Sequence, residues 1–140
     1  MEYPIKFTVF GVWGKGRPRF AKGGHAYTPE TTRQRERIIA EAFRGKAHFG
    51  FEPYTGRVML YIKVYHGIPK NTPKKNIDAL LKSTPQKKPD IDNIIKIVAD
   101  AIQGEAYYDD TQIWYVQASK HYKLGESEME IEVIGDYLGE

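Results

Sequence analysis

The apolar residues of this chain follow two different periods, and the order of those periods limits the fold more than any other feature. Four segments alternate apolar and polar residues as half-buried β-strands do: residues 5–12, 57–67, 112–123 and 127–137. Residues 29–45 and 91–102 instead repeat apolar residues at helical spacing. The order β, α, β, α, β, β predicts an α+β fold with one mixed sheet and helices packed mainly on one side.

The same periods predict which side chains are buried and where the helices end. Thr28 and Pro29 mark the start of the first helix and Gly45 its end, while Gly104 ends the second helix. The expected core residues are Ile5, Phe7, Val9, Ile38, Ile39, Ala42, Phe43, Val58, Leu60, Ile62, Val64, Ile91, Ile94, Ile95, Val98, Ala101, Ile102, Trp114, Val116, Ala118, Met129, Ile131 and Val133.

Length and composition exclude several classes of protein. A chain of 140 residues is long enough for one core, so we expect a single domain over residues 1–140. The chain has no cysteine, which excludes disulfides and thiolate metal sites. No apolar run has the roughly 20 residues of a membrane helix, and the N-terminal residues lack the order of a secretory signal. These features predict a cytoplasmic protein with no membrane partner.

Basic residues gather in two segments that interrupt the regular patterns. The glycine-rich segment GKGRPRFAKGG is expected to be an irregular loop in which Arg17 and Arg19 bind DNA phosphates. Residues 68–90 carry four prolines and many lysines, and they predict a long functional loop with one helical turn near residues 78–82. At the end of that loop, Lys87 and Lys88 flank two aspartates and are further candidates for DNA binding. A solvated surface is the simpler interpretation of all these charges.

Two pairs of aspartates enclose the second helix, and each pair permits a structural or a chemical interpretation. Asp90 can cap the helix, and Asp92 can form an ion-pair ladder with Lys96 and Asp100 at i, i+4 and i+8. Asp109 and Asp110 can be ordinary turn residues. Alternatively, these carboxylates can hold Mg²⁺, which prefers hard oxygen ligands and fills its remaining positions with water and phosphate oxygens. The pattern of residues alone leaves both interpretations open.

The segment KKPDIDNIIKIVADAIQGEAYYDDTQI resembles the signature of the RusA family of Holliday-junction resolvases. That signature has K-P-D-x-D-N, a lysine three residues after the asparagine, D-A-[LI] near the helix end, and an aromatic residue followed by D-D before a strand. The resemblance extends to the GKGRPRF segment and to the final strand. It implies a RusA-like fold and a homodimeric nuclease, often carried by prophages, that nicks four-way DNA junctions symmetrically in recombination and repair. It also implies dependence on Mg²⁺, with Mn²⁺ as a possible substitute.

The resemblance also assigns roles to individual residues. It makes Asp90, Asp92 and Asp110 the catalytic, metal-binding carboxylates, with Asp110 preferred over Asp109. Lys96 matches the essential lysine, placed to offset negative charge at the reacting phosphate, and Asn93 would orient a carboxylate. Two alternatives to a junction resolvase remain: an inactive protein that binds branched DNA, and a nuclease that cuts flaps or other branched substrates.

Overall fold

The structure is a computed structural model, and it describes residues 3–16, 19–20, 23–24, 26–27 and 29–139. Its strands are β1 (Tyr3–Phe10), β2 (Arg19–Phe20), β3 (Ala26–Tyr27), β4 (Val58–Ile68), β5 (Ile113–Leu124) and β6 (Glu128–Gly135). Its helices are α1 (Glu30–Lys46), α2 (Lys74–Leu81) and α3 (Ile91–Ile102), and a 3₁₀ turn covers Asp110–Gln112. None of the helices in the described ranges is long and apolar enough to cross a membrane.

Four strands form one mixed sheet in the order β1-β6-β4-β5. β6 pairs antiparallel with both β1 and β4, whereas β4 and β5 are parallel. The α+β class and the mixed sheet predicted from the sequence are therefore confirmed. A parallel pair needs a crossover connection, and the chain between β4 and β5 supplies it with α2 and α3.

One face of this sheet packs against α1 and α3 and holds the core. The alternating residues of β1, β4 and β6 point towards the helices, as the period of two predicts, and they form one cluster with the buried side of α3. The opposite face is polar, and opposite charges lie across from each other there: Lys6 faces Glu132, and Lys63 faces Glu130. The helices thus lie on one side of the sheet, as expected.

The expected core is wrong at several positions. Ile38 and Ile91 are exposed, while Ala40 and Ile97 are buried in addition to the predicted residues. The larger error concerns β5, which forms the edge of the sheet. Trp114 is 58% exposed and Val116 is 38% exposed, because β5 has a strand neighbour on only one side and the helices leave the start of this strand uncovered.

The helix ends and the two basic segments also differ from expectation. α1 continues through Gly45 to Lys46, and Pro29 rather than Thr28 precedes its first residue; Thr28 itself lies outside the described residues. β2 lies within the segment predicted to be irregular, and it forms a short antiparallel ladder with β3, which follows that segment. The predicted turn near residues 78–82 is part of α2, a helix of 8 residues without a buried side chain.

The crossover sets the direction of α3, and that direction decides where the two aspartate pairs lie. At its N-terminal end, the Lys87 carbonyl accepts a hydrogen bond of 2.8 Å from Lys120 Nζ, late in β5. Beyond its C-terminal end, the Gln112 side chain donates to the carbonyls of Tyr54 and Gly56, just before β4 begins. α3 therefore runs antiparallel to β4 and β5, and its two ends lie at opposite ends of the sheet.

Candidate nuclease site

The first aspartate pair stands at the N-terminus of α3, and neither carboxylate makes a hydrogen bond with a residue that the structure describes. Asp90 occupies the N-cap position with extended backbone angles, yet its side chain makes no capping hydrogen bond. Asp92 lies in the first turn, is exposed, and forms no ion pair with any residue that the structure describes. Because neither carboxylate is used to stabilise the helix by a direct contact, both remain able to bind a ligand.

A groove with a cationic rim opens beside Asp90, and we call it the cationic groove. Its volume is about 590 Å³, and its lining includes Trp13, Lys15, Arg35, Lys88, Asp90 and Asn93. The Arg35 guanidinium lies over the Trp13 ring, 5.6 Å from its centroid, which fixes its direction at the rim. Three cations beside one free carboxylate form a surface on which a phosphate can approach an acidic site.

The loop of residues 12–16 forms one wall of the cationic groove and packs closely on α3. The Lys15 backbone N–H donates to the Asn93 carbonyl at 2.9 Å. A Cβ atom at Gly14 would lie 2.7 Å from Pro89 Cβ and 3.0 Å from Asn93 Cβ. Only glycine allows this approach, so the sequence Gly14-Lys15-Gly16 holds the loop against the start of α3.

Asp100 joins two lysines on the surface of α3. Its carboxylate lies 3.1 Å from Lys15 Nζ and 3.3 Å from Lys96 Nζ, while Glu36 of α1 lies 3.3 Å from Lys15. Burial alone would lower the pKa of Lys15, but the hydrogen bond to Asp100 and the charge of Glu36 outweigh it and raise that pKa. The predicted ladder therefore exists in part, since Lys96 pairs with Asp100 and not with Asp92.

The second aspartate pair lies at the other end of α3, and its two members differ. Asp109 accepts a hydrogen bond from the Thr111 N–H at 3.0 Å and caps the 3₁₀ turn, and this bond lowers the pKa of its carboxyl group. Asp110 uses its backbone N–H to bind Gln103 Oε1 at 3.2 Å, and its carboxylate is exposed. Of the two, Asp110 has the carboxylate that is available to a ligand.

A single chain does not bring Asp110 together with Asp90 and Asp92. The 12 residues of α3 separate the two pairs, and they span about 18 Å at a rise of about 1.5 Å per residue. Among the described residues, no group of three acidic, histidine or cysteine side chains is arranged to hold a metal ion. Two exposed carboxylates at one helix end nevertheless suit Mg²⁺, which is often held by one or two carboxylates together with substrate phosphates.

Comparison with known proteins identifies the family. Residues 10–134 match the family described as Endodeoxyribonuclease RusA. The chain belongs to the RusA family of endodeoxyribonucleases. It is also 35% identical over 126 residues to "Uncharacterized protein YqaN" of Bacillus subtilis (strain 168), an alignment that covers 84% of this chain and 87% of that protein.

The RusA match includes the whole stretch from Asp90 to Asp110, and it extends to the basic residues predicted to bind DNA. Lys88 lines the cationic groove. Lys87 instead points to the other side, where its ammonium lies over the Tyr122 ring at 5.8 Å. Arg17 and the side chain of Arg19 lie outside the described residues, so their predicted contacts with DNA remain predictions.

Three residues that line the cationic groove were not predicted from the sequence. Arg35 is not singled out by the sequence, because helical spacing does not show which arginine of α1 meets an aromatic ring from another segment. Lys15 and Trp13 precede the arginines of the basic segment. The glycines on both sides of Lys15 were a usable signal, since they indicate a backbone that approaches another element closely.

Proposed function

We propose that this protein is a Mg²⁺-dependent endonuclease that resolves four-way DNA junctions by paired symmetric nicks in recombination and repair. Membership of the RusA family supports the nuclease activity and the branched substrate. The single observation that carries the proposal is the position of Asp90, whose carboxylate makes no capping hydrogen bond and opens into a groove rimmed by Lys15, Arg35 and Lys88.

Asp90 and Asp92 are the residues that would hold the metal, and their exposure at the start of α3 suits that role. When bound, Mg²⁺ supplies a water of lowered pKa and offsets negative charge on the phosphate. Mn²⁺ prefers similar oxygen ligands and is expected to substitute. Asn93, which lines the same groove one turn from the cap position, is placed to orient the carboxylate of Asp90.

The cations around the carboxylates would bind and position the DNA backbone. Arg35 is held over Trp13 at the rim, so it presents its guanidinium in a fixed direction to a phosphate. Among the described residues, Asp100 is the one ion-pair partner of Lys96, and the Lys96 side chain is 60% exposed. It can therefore leave Asp100 and reach the phosphate as negative charge develops there.

The two cuts of a junction require two sites related by a two-fold axis, so we propose that the protein acts as a homodimer. A four-way junction is itself close to two-fold symmetric, which gives each site one strand of the same sequence to cut. The symmetry of the product, a pair of nicked duplexes with ends that can be ligated, is the expected signature of this activity.

The experiment is cleavage of a synthetic four-way junction by the purified protein, with Mg²⁺, with Mn²⁺ and with EDTA, beside a flap and a plain duplex of the same sequences. We expect paired nicks in the junction that require the metal and no comparable cutting of the duplex. Cutting of flaps at an equal rate would instead indicate a nuclease for branched DNA in general. Tight binding of the junction without cutting under any metal condition would reduce the protein to a branched-DNA binder.

A further inference from the structure

The outer side of α3 carries a lysine with an aspartate one turn away in each direction. Asp92, Lys96 and Asp100 follow one another at intervals of four residues, so either carboxylate is within reach of the lysine. The Lys96 ammonium lies 3.3 Å from both carboxylate oxygens of Asp100. Asp92 is exposed and forms no ion pair with the residues that the structure describes. Of two equally spaced acidic neighbours, Lys96 therefore binds one and leaves the other open.

The direction of this ion pair is opposite to the one that a helix by itself prefers. In a pair at i and i+4, an acidic residue on the N-terminal side of a lysine is more favourable than the reverse order. An isolated α3 would for that reason pair Lys96 with Asp92. The pair with Asp100 has the less favourable order, so contacts from outside the helix must make Asp100 the better partner.

Those outside contacts come from Lys15 and, through it, from α1. Lys15 Nζ lies 3.1 Å from Asp100 and 3.3 Å from Glu36, so the Asp100 carboxylate is held between two elements. A carboxylate that is already fixed loses little conformational freedom when a further cation binds it. The Asp100 side chain is also only 20% exposed, and a partly buried pair is screened less by water and salt than an exposed one. Both effects favour Asp100 over Asp92 as the partner of Lys96.

The consequence of this choice lies at the start of α3. An ammonium group on Asp92 would occupy the carboxylate oxygens that a divalent cation needs, and the metal ion would have to displace it. With Lys96 on Asp100, the carboxylate of Asp92 stays open beside that of Asp90, which makes no capping hydrogen bond. The lysine nevertheless remains one turn from Asp92, about 6 Å along the helix axis. It is kept near the site without occupying it.

We propose that Asp100 is a positioning residue, which holds Lys96 away from Asp92 and thereby keeps Asp92 open for the metal ion. The proposal rests on the proposed function for the metal ion at Asp90 and Asp92. The preference of Lys96 for Asp100 stands on the contacts of Asp100 alone. When Asp100 is lost, Lys96 pairs with Asp92 in the order that a helix prefers, and it then competes with the metal ion for that carboxylate.

The test is the binding of Mn²⁺ to the purified protein without DNA, measured from the electron paramagnetic resonance signal of free Mn²⁺. We expect Asp100→Asn to weaken binding about two- to threefold, since a competing helical ion pair has about that strength. Asp100→Glu keeps a carboxylate within reach of Lys96 and should bind Mn²⁺ as the wild type does. Glu36→Gln is the matched control: it removes one negative charge and one partner of Lys15 without touching Lys96, so the affinity should not change.

A second background shows whether Asp100 acts through Lys96. In a protein that already carries Lys96→Met, no ammonium can move to Asp92, so adding Asp100→Asn should leave the Mn²⁺ affinity unchanged. An equal loss of affinity with and without Lys96 would overturn the proposal, because Asp100 would then act on the metal ion by its own charge or through the fold. Wild-type affinity in the single variant Asp100→Asn would overturn it as well.

The dependence of junction cleavage on Mg²⁺ gives an independent readout. For Asp100→Asn, we expect the Mg²⁺ concentration at half-maximal rate to rise about two- to threefold, while the rate at saturating Mg²⁺ stays close to that of the wild type. A lower maximal rate at an unchanged Mg²⁺ requirement would contradict the proposal. If the wild type has no Mn²⁺ site that Asp92→Asn removes, the proposed function itself fails. A failure of the Asp100 variants beside an intact wild-type site refutes only the role of Asp100.

Discussion

Asp100 binds two lysines at once, and this shared contact determines how far Lys96 is committed to the folded structure. Lys15 is the better buried of the two and has a second acidic partner in Glu36. Lys96 is more exposed, and in the described part of the chain its ion pair is with Asp100 alone. The ion pair of an exposed lysine contributes little to stability, so Lys96 is available for the reaction at small cost to the fold.

Replacing Lys96 should therefore slow cleavage much more than it weakens binding. We expect Lys96→Met to lower the single-turnover rate by roughly 100- to 1000-fold, the usual cost of losing one group that stabilises developing charge. Affinity for the junction should change only slightly, because one lysine is a small part of a large electrostatic contact. Rate and affinity measured on the same junction check this, with Lys63→Met on the polar face of the sheet as the control. A large loss of affinity at an unchanged rate would contradict it.

Individual residues were predictable where a local pattern determines their role. The capping box of Asp109 follows the known spacing, with Gln112 three residues later, so the role of Asp109 as the cap of the 3₁₀ turn was readable in the sequence. The sequence did not show that the Asp90 side chain makes no capping hydrogen bond, because an aspartate before a helix usually caps it. Whether the cap forms depends on the geometry of the loop that enters the helix.

At the scale of elements, the loop of residues 12–16 must lie against α3 for the cationic groove to exist. Gly14→Ala places a methyl group 2.7 Å from Pro89 Cβ, so the loop or the start of α3 must shift. Such overpacking costs about 1–3 kcal/mol. We expect lower stability in urea and weaker junction binding, because Lys15 and Trp13 move with the loop. Gly45→Ala is the control, since a Cβ there meets no atom within 4 Å. Alanine in place of glycine within a helix raises the free energy of unfolding by about 0.5–1 kcal/mol.

The contribution of α1 to DNA binding should come from Arg35, one of the four arginines of this helix. Arg35 lines the cationic groove, whereas Arg33 and Arg37 are exposed elsewhere and Arg37 pairs with Glu30. We expect Arg35→Gln to reduce the slope of log affinity against log salt by about one unit, as the loss of one phosphate contact does. Arg33→Gln should leave the slope unchanged. Equal effects of the two substitutions would mean that α1 acts only through its overall charge.

The order of elements was predictable from the sequence, but their neighbours in space were not. Alternation identifies a strand and its faces, and the buried residues of β1, β4 and β6 confirm this. It does not distinguish an edge strand from a central one, so Trp114 and Val116 were wrongly expected in the core. For the same reason the separation of Asp110 from Asp90 was not visible: it follows from the parallel pairing of β4 and β5, which joins residues far apart in the chain.

At the scale of the whole molecule, one buried histidine should make stability depend on pH. His66 is buried in β4, and its Nε2 atom has no hydrogen-bond partner in the described part of the chain. Burial and the charges of Lys87 and Lys120 lower the pKa of His66. As the pH falls below the ordinary histidine pKa of about 6.5, the unfolded chain takes up a proton that the folded chain resists, so the free energy of unfolding decreases.

The measurement is urea unfolding from pH 8 to pH 5, in the wild type and in two variants. His66→Gln should make the free energy of unfolding decrease less steeply below about pH 6.5, whatever the substitution does to stability at neutral pH. His48→Gln, at an exposed position after α1, should keep the wild-type curve. A flat wild-type curve in this range would contradict the prediction, because it would mean that His66 takes up a proton in the folded protein as readily as in the unfolded chain.

α3 carries its buried side and its proposed reactive side on one helix, so the packing of the interior would affect the positions of the proposed catalytic side chains. Ile97 and Val98 are fully buried on one side, while Asp92 and Lys96 project from the other. Side chains stand about 5 Å from a helix axis, so a roll of about 10° displaces them by roughly 1 Å. A displacement of that size can change a rate by about a hundredfold. During evolution, an exchange of one aliphatic residue beneath α3 would therefore be selected for turnover as well as for stability, and its compensation would be found in the opposing residues of the sheet.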